Sequence, residues 1–423
     1  MLLLLISFIA LMLIGLPIGF CLFVSSIWYM AINGIPLMIA AQRVAAGADS
    51  FPLLALSFFI LAGSLMNSAG ITSKIFDFAD KLVGHFHGGL GHANVLASVI
   101  FSGMSGSAVA DTGGLGAIEL KAMKDAGYDE DFALAVTGAS SIIGPIVPPS
   151  VPAVVLGVAA NISIGRLFMG GVVPGLLMAG TLCAMIVYFS KKRGYPKGEH
   201  FSPWAAVLAF KNGFFPLLTP VILIGGIISG IFTPTEAAIV AVVYALLLGF
   251  ANRALTMKNL PAIFIDAIGT TVNVLFIIAA STLFAWLLTT AQVPQQLSQA
   301  FLEVVSNKYV ALLIINVILL FAGCFLDTAA AIVIFIPIFM PIILSYHIDP
   351  VHFGIMMILN LMLGLMTPPV GMVLFVLSSV SKVSFEQIAK AIWPFVLALF
   401  AVLILLIFVP EIVTFLPNII FGA

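Results

Sequence analysis

The chain carries very little charge. Of its 423 residues 8% are Asp, Glu, Lys or Arg and 62% are hydrophobic, with a mean hydropathy of +1.25. A soluble domain carries about 25% charged residues, so the composition excludes one and points to an integral membrane protein. Cysteine is also scarce. Cys21, Cys183 and Cys324 stand singly in apolar runs, which excludes a disulfide framework or a cysteine metal site. The phosphate-binding pattern G-x-x-x-x-G-K-[ST] is missing, so the chain does not itself hydrolyse ATP. H-E-x-x-H is missing too, and the stretch Gly103 to Ser107 ends in Ser where a nucleophile elbow needs Gly. No Ser/His or His/Glu constellation falls at membrane depth. An enzyme, an organic cofactor and a nucleic-acid partner are therefore not expected. The opening MLLLLISF lacks a basic region and a small-residue cleavage site and is expected to be a retained helix.

What is present is a sentence written twice. Asp129 to Val151, DEDFALAVTGASSIIGPIVPPSV, matches Asp349 to Gly371, DPVHFGIMMILNLMLGLMTPPVG, at an offset of 220 residues. In each, an Asp precedes an apolar helix that stops at Gly-x-x-x-Pro-Pro. Proline lacks an N–H and clashes with the preceding turn, and the residue before it leaves the α region. A break inside a membrane is tolerated only where protein or a water-filled cavity satisfies the freed carbonyls. Broken helices at matching places in two halves point to the ion and substrate site of a secondary transporter. The competing reading is a simple kink, which a doubled Pro-Pro at matching sites disfavours.

The rest of the chain follows the same order twice. Single apolar spans are expected near 51–70, 131–160, 167–190, 262–290, 351–380 and 391–417, each long enough to cross about 30 Å. The stretches 1–33 and 213–250 are each a pair of short helices, broken at 15–19 and 229–236. The stretches 88–126 and 308–345 are apolar but interrupted by small polar residues, and read as re-entrant hairpins. Amphipathic arms are expected at 72–84 and 294–307, lying in the membrane interface. The fold class is therefore an all-α polytopic membrane protein with two repeats, 1–190 and 212–423, joined by a cytoplasmic linker at 191–211. Five crossings per repeat, an odd number, would invert the second repeat. Asp111-Thr112 pairs with Asp327-Thr328 at an offset of 216, which predicts a first hairpin about four residues longer.

Several side chains could carry chemistry. The first hairpin tip, Ser102-Gly103-Met104-Ser105-Gly106-Ser107, could expose carbonyls to a ligand, or serve close helix packing. The freed oxygens around Gly144 to Ser150 and Gly364 to Pro369 suit a weakly hydrated cation, and the helix N-termini that follow suit an anion. Asp111 and Asp327 are carboxylates deep in apolar hairpins, where charge is functional by default; capping a turn is the alternative. Glu236 in Thr233-Pro234-Thr235-Glu236 reads as a capping box, and Asp129 and Asp349 as helix caps. His85, His87 and His92 lie in a Gly-rich turn and read as interfacial more than metal-binding.

Taken together, GMSGSAVADTGGLG, GPIVPPS, FTPTEAAIVAVVYAL, CFLDTAAAIVIFIPIFMPI and LGLMTPPVGMVLFV resemble the large membrane (M, or DctM-type) subunit of tripartite ATP-independent periplasmic (TRAP) transporters. The resemblance covers essentially the whole chain, in the form not fused to the small subunit, and is most similar to the sialic acid members. It implies a sodium-coupled symporter of the bacterial inner membrane with an elevator mechanism. It also implies a small four-helix (DctQ-type) partner, a periplasmic binding protein that delivers the substrate, and surrounding lipid. One sodium site would use Ser102, Gly103, Ser105, Gly144, Val147 and Pro149. A second would use Gly323, Asp327, Thr328, Gly364, Thr367 and Val370. The substrate would lie near Ser107, Asp111, Ser150 and Asp327. Sialic acid (N-acetylneuraminate) is the favoured substrate. A C4-dicarboxylate or other organic acid, a one-component sodium/dicarboxylate carrier, and a channel or structural subunit are the alternatives.

Charge placement fixes an orientation. With both termini periplasmic, Arg43, Arg166 and Lys308 lie outside and the other 13 of the 16 basic residues inside, as the positive-inside rule requires. A cysteine introduced at position 196 should then resist an impermeant thiol reagent in intact cells. Labelling there would invert the topology.

Overall fold

The computed structural model describes residues 2–195, 197–198 and 200–422, so position 196 lies outside the described residues. Among these, secondary structure is helical apart from one isolated bridge between His87 and Lys197. The first half holds α1 (Leu2–Leu13), α2 (Ile18–Ile32), α3 (Leu37–Ala48), α4 (Phe51–Ser68), α5 (Thr72–Val83), α6 (Gly89–Ser105), α7 (Ala108–Gly113), α8 (Leu115–Asp125), α9 (Glu130–Ser141), α10 (Val151–Ala160) and α11 (Ile164–Arg193). The second holds α12 (Pro203–Ile228), α13 (Pro234–Ala251), α14 (Leu260–Thr290), α15 (Val293–Val304), α16 (Lys308–Gly323), α17 (Thr328–Ser345), α18 (Pro350–Gly364), α19 (Met372–Ser381), α20 (Phe385–Phe408) and α21 (Glu411–Phe421). Seven of these helices are long and apolar enough to cross a membrane, and the chain is a multi-pass membrane protein. The helices reach into the expected linker: α11 runs on to Arg193 and α12 begins at Pro203.

The elements pair across the halves. The second part of each broken helix lies against the other half's hairpin, α10 on α17 and α19 on α7. The first parts sit against the closing helices, α9 on α20 and α18 on α11. Around this body α4 packs on α13, and α14 packs on α2, α3 and α4. The helix α3 had no expected counterpart. With α4 it covers the same length that α14 spans in one piece, and it is seated on α14 by Gly47 against Thr282 and by Arg43 over the Trp286 ring at 5.3 Å.

Two capping expectations hold. Thr233 and Glu236 form a reciprocal box, with Thr233 N donating to Glu236 Oε2 at 2.8 Å and Glu236 N donating to Thr233 Oγ1 at 3.3 Å. Asp349 accepts from Val351 N at 2.7 Å and His352 N at 3.0 Å. Asp129 does not cap α9 with its side chain. Its carboxylate instead accepts from Tyr195 OH at 2.6 Å and Arg193 Nη1 at 2.9 Å. A charged donor makes a stronger hydrogen bond than a neutral amide, so the guanidinium takes the carboxylate from the helix end. Arg193 also grips Asp131 with both nitrogens, at 2.7 and 2.8 Å, and lies over Phe132. The end of α11 is thus clasped to the start of the first broken helix. His85 packs against the rings of Phe86 and Phe201, tilted to both.

The 216-residue pairing of Asp111 with Asp327 is overturned. The hairpins run Gly89–Asp125 and Lys308–Ser345 and differ by one residue, not four. The offset of 220 therefore holds through the tips and sets Asp327 opposite Ser107. Both are N-caps: Ser107 accepts from Ala110 N and Asp327 from Ala329 N. Asp111 lies a turn further on, opposite Ala331. A short Asp-Thr match misled because the cap position tolerates Ser and Asp alike.

The clasp generates a stability prediction. The hydrogen bonds from Tyr195 and then Arg193 hold the Asp129 carboxyl below its usual range. A depressed carboxyl stabilises the fold above its unfolded value and loses that contribution as pH falls through the folded one. Its side chain is 57% exposed, so the effect is modest. Arg193→Ala should cost about 1 kcal/mol at pH 7, read as a lower melting temperature. The gap to wild type should close toward pH 3. An equal gap at both pH values would assign the loss to packing.

Candidate functional site

The proline pair decides which carbonyls go bare. Pro148 and Pro149 stand where helix N–H groups would reach the carbonyls of Gly144 and Pro145, and neither can donate. The hydroxyl of Ser150 takes the Pro145 carbonyl and also caps α10 through Ala153 N. Among the described residues no donor reaches the Gly144, Val147 or Pro149 carbonyls. The second break resolves differently. Gly364 O accepts from Thr367 N at 3.0 Å and Leu365 O from Val373 N at 3.1 Å, while among the described residues no backbone donor reaches the carbonyls of Thr367 and Val370. Both Pro-Pro bonds are cis.

Each hairpin tip touches its break. Gly106 has φ +59°, and a Cβ there would lie 2.5 Å from Pro149 O; its own carbonyl accepts from Val151 N at 3.4 Å. Only glycine combines that dihedral with that approach. Ser105 Oγ donates to Asp111 Oδ1 at 3.2 Å. The other oxygen of Asp111 is buried without a partner and points at Gly144, where a Cβ would meet it at 3.2 Å. Ser105, Asp111 and Gly144 thus form one cluster, with Ser107 and Ser150 capping the helices that start beside it. On the second side Gly323 meets Gly364 backbone to backbone, at a distance a Cβ on Gly364 would cut to 2.5 Å.

Other expected residues are placed less directly. The Ser102 hydroxyl donates to Val99 O at 2.5 Å, and Gly103 faces Pro220 of α12. Val147 packs its side chain on Gly175, leaving only its carbonyl for the site. The Thr367 hydroxyl donates to Leu363 O at 2.8 Å, while the Thr328 hydroxyl is buried without a partner. No hydrogen bond among the described residues links Asp327 to Ser107, Asp111 or Ser150.

The sequence reading missed two buried amide networks. Asn94 of α6 donates to Thr137 at 2.8 Å and accepts from Ser140 at 2.6 Å on α9. Asn360 of α18 donates to the Asn316 side-chain oxygen at 2.6 Å and to its carbonyl at 2.9 Å on α16. Ser140 and Asn360 are 220 residues apart. These bonds tie each hairpin to its broken helix just before the break. Lone Asn residues inside apolar runs were the available signal.

The arrangement is two oxygen-lined helix breaks, each backed by a hairpin. A sequence profile described as "Tripartite ATP-independent periplasmic transporter, DctM component" matches residues 5–412. The chain belongs to this DctM family. It is 47% identical to the sialic acid TRAP transporter large permease protein SiaM of Vibrio cholerae, over 96% of both chains. It is 44% identical to the sialic acid TRAP transporter permease protein SiaT of Haemophilus influenzae, over 96% of this chain and 66% of that one. The C4-dicarboxylate TRAP transporter large permease protein DctM of Rhodobacter capsulatus is 35% identical over 97% of each chain. The fold is similar to that of the YdaH transporter of Alcanivorax borkumensis, with a TM-score of 0.67 over 88% of each chain at 14% identity. The chain is thus the large permease component of a TRAP transporter.

The Asp327 position yields a decisive test. Its Oδ2 accepts from Ala329 N at 3.0 Å, a bond that Asn can replace. Asp327→Asn should keep expression and thermal stability close to wild type. If the charge serves ion or substrate coupling, uptake should fall at least tenfold. Near-wild-type uptake would make Asp327 a cap only.

Proposed function

We propose that this chain is the large membrane subunit of a sodium-coupled symporter that imports an acidic small molecule. The observation that carries this reading is the pair of Pro-Pro breaks, whose bare carbonyls and adjoining helix N-termini lie under the hairpin tips. Oxygen ligands suit a hard cation, and a helix N-terminus suits a carboxylate. One sodium site falls at each break: Ser102, Gly103, Ser105, Gly144, Val147 and Pro149 in the first, and Gly323, Asp327, Thr328, Gly364, Thr367 and Val370 in the second. The substrate lies between, near Ser107, Asp111, Ser150 and Asp327.

Sialic acid is the favoured substrate, because relatives at 47% and 44% identity are named for it. Relatives at 38–39% are named for 2,3-diketo-L-gulonate and isethionate, also acids, so another organic acid is the second reading. A periplasmic binding protein and a small four-helix membrane subunit are the proposed partners. The setting is the bacterial inner membrane, with both termini periplasmic and the second repeat inverted. The body of hairpins and broken helices moves as an elevator against the surrounding helices.

The test is uptake of N-acetylneuraminate by proteoliposomes holding the permease, its small subunit and the binding protein. Uptake should require a sodium gradient and the binding protein. Uptake without the binding protein would favour the one-component carrier. Two sodium ions with a monoanion carry one net positive charge inward, and 100 mV acts on one charge with about 2.3 kcal/mol. An inside-negative potential of 100 mV should therefore raise equilibrium accumulation at least about 50-fold, with each further coupled cation multiplying that factor. Accumulation indifferent to potential would refute that stoichiometry or substrate charge.

A further inference from the structure

The first hairpin holds a second buried acid that no role above uses. Glu119 is 1% exposed on α8, and its Oε1 has no hydrogen-bond partner. Its 220-offset counterpart is Phe339, and that of Asp111 is Ala331. The second hairpin has neither acid, so repeat architecture alone does not require them.

Among the described residues the surroundings of Glu119 are polar and include no buried Lys or Arg. Gly116, one turn before it, lies against Thr137, and Met123, one turn after it, lies against Asn94. The Glu119 face of α8 therefore rests on the Asn94–Thr137–Ser140 network. Thr137 Oγ1 accepts from Asn94, and no acceptor takes its own hydroxyl hydrogen. Helices α5, α6, α7, α9 and α19 pack around α8. Their titratable groups are Lys74, Asp77, Asp80 and Lys81 on α5, His92 on α6, Asp111 on α7 and Glu130 and Asp131 on α9, with none on α19. Lys121, Lys124 and Asp125 of α8 itself are exposed. The acid coupled to Glu119 is Asp111, itself buried. No Lys or Arg is buried among the described residues.

An unpaired carboxylate at such depth costs several kcal/mol, and a like charge nearby adds to it. No buried Lys or Arg among the described residues offsets that cost, and a mobile cation would. We propose that Glu119 binds a third coupling cation, a proton or Na+, separate from the ions at the two helix breaks and held on the Asn94–Thr137–Ser140 network. A proton would sit on Oε1 and complete a neutral acid. A Na+ would take Oε1 together with the Thr137 hydroxyl oxygen. The cation would discharge the first hairpin before it changes sides.

This inference rests on the sodium-symport reading, and one experiment separates their failures. The permease with its small subunit and binding protein is reconstituted, and charge moved per N-acetylneuraminate is measured from reversal potentials at several sodium concentrations and pH values. Absence of sodium-dependent uptake in the wild type would refute the symport reading itself. Given uptake, the wild type should move one cation more than the two break sites supply, and Glu119→Gln should move one charge fewer. If the ion is Na+, the Hill coefficient for sodium should fall in that variant and the sodium dependence of the reversal potential should lose one ion. If it is a proton, substrate-driven proton entry reported by a lumenal pH dye should vanish. Glu119→Asp, which keeps the charge, should retain the wild-type ratio. A wild type coupled to two cations only, or a Glu119→Gln variant with unchanged charge ratio and proton movement, would make Glu119 a permanently neutral packing group and overturn the proposal. If Glu119→Gln does not fold, the wild-type ratio alone decides.

Discussion

The site depends on a constraint on the backbone. In hydrocarbon a peptide carbonyl without a donor costs several kcal/mol. The two Pro-Pro pairs remove donors at the middle of two buried helices, so the surrounding chain has to answer for the bare oxygens. The first break gives one to the Ser150 hydroxyl and, among the described residues, leaves those of Gly144, Val147 and Pro149 without a donor, with Pro149 O against Gly106 of the hairpin tip. The second recovers two with backbone N–H groups and leaves those of Thr367 and Val370. The same local rule produces two different sets of free oxygens.

Such a cluster works only if hairpin and break keep their spacing. The amide networks Asn94–Ser140 and Asn360–Asn316 do this from within the apolar body. Removing one partner would leave the other buried and unsatisfied, at about 1–3 kcal/mol. Their cost and geometry make them fixed points between helices that are otherwise joined by apolar contact. Glycine at 106, 323 and 364 then lets the backbones approach to contact distance. Close approach and fixed register together place the carbonyls to better than a side chain's length.

Much of this was legible in the sequence. The breaks at Pro148-Pro149 and Pro368-Pro369, the Thr233–Glu236 box and the amphipathic helices α5 and α15 follow from strong local rules: proline stereochemistry, reciprocal capping and helical periodicity. What was hidden depends on partners distant in sequence. Asp129 looked like a cap until Arg193, 64 residues on, claimed it. The helix α3 is short and carries Arg43 and Gln42 amid small residues, and only α14 shows why it forms. Asn94 and Asn360 each resemble any polar residue in an apolar run until the other half of the hydrogen bond is seen. The Asp111–Asp327 pairing failed for a related reason: two identical letters outweighed the helix register that places Ser107 opposite Asp327.

That register also says where the halves stop being equivalent. They share a frame of hairpin and break held at one offset, each half tied by buried amide hydrogen bonds. Their chemistry differs at the tips: Ser107 against Asp327, Asp111 against Ala331 and Glu119 against Phe339. The first hairpin holds two acids with buried unpartnered oxygens, whereas the single acid of the second also caps a helix. A frame repeated twice would support the same ion affinity twice. On the proposed reading, the two extra acids would make the affinities unequal, because the cost of an unneutralised carboxylate would fall more heavily on the first hairpin. Ion occupancy then bears most strongly on that hairpin. A transporter whose halves respond unequally to the same ion can load it in a set order, which two equivalent sites do not provide.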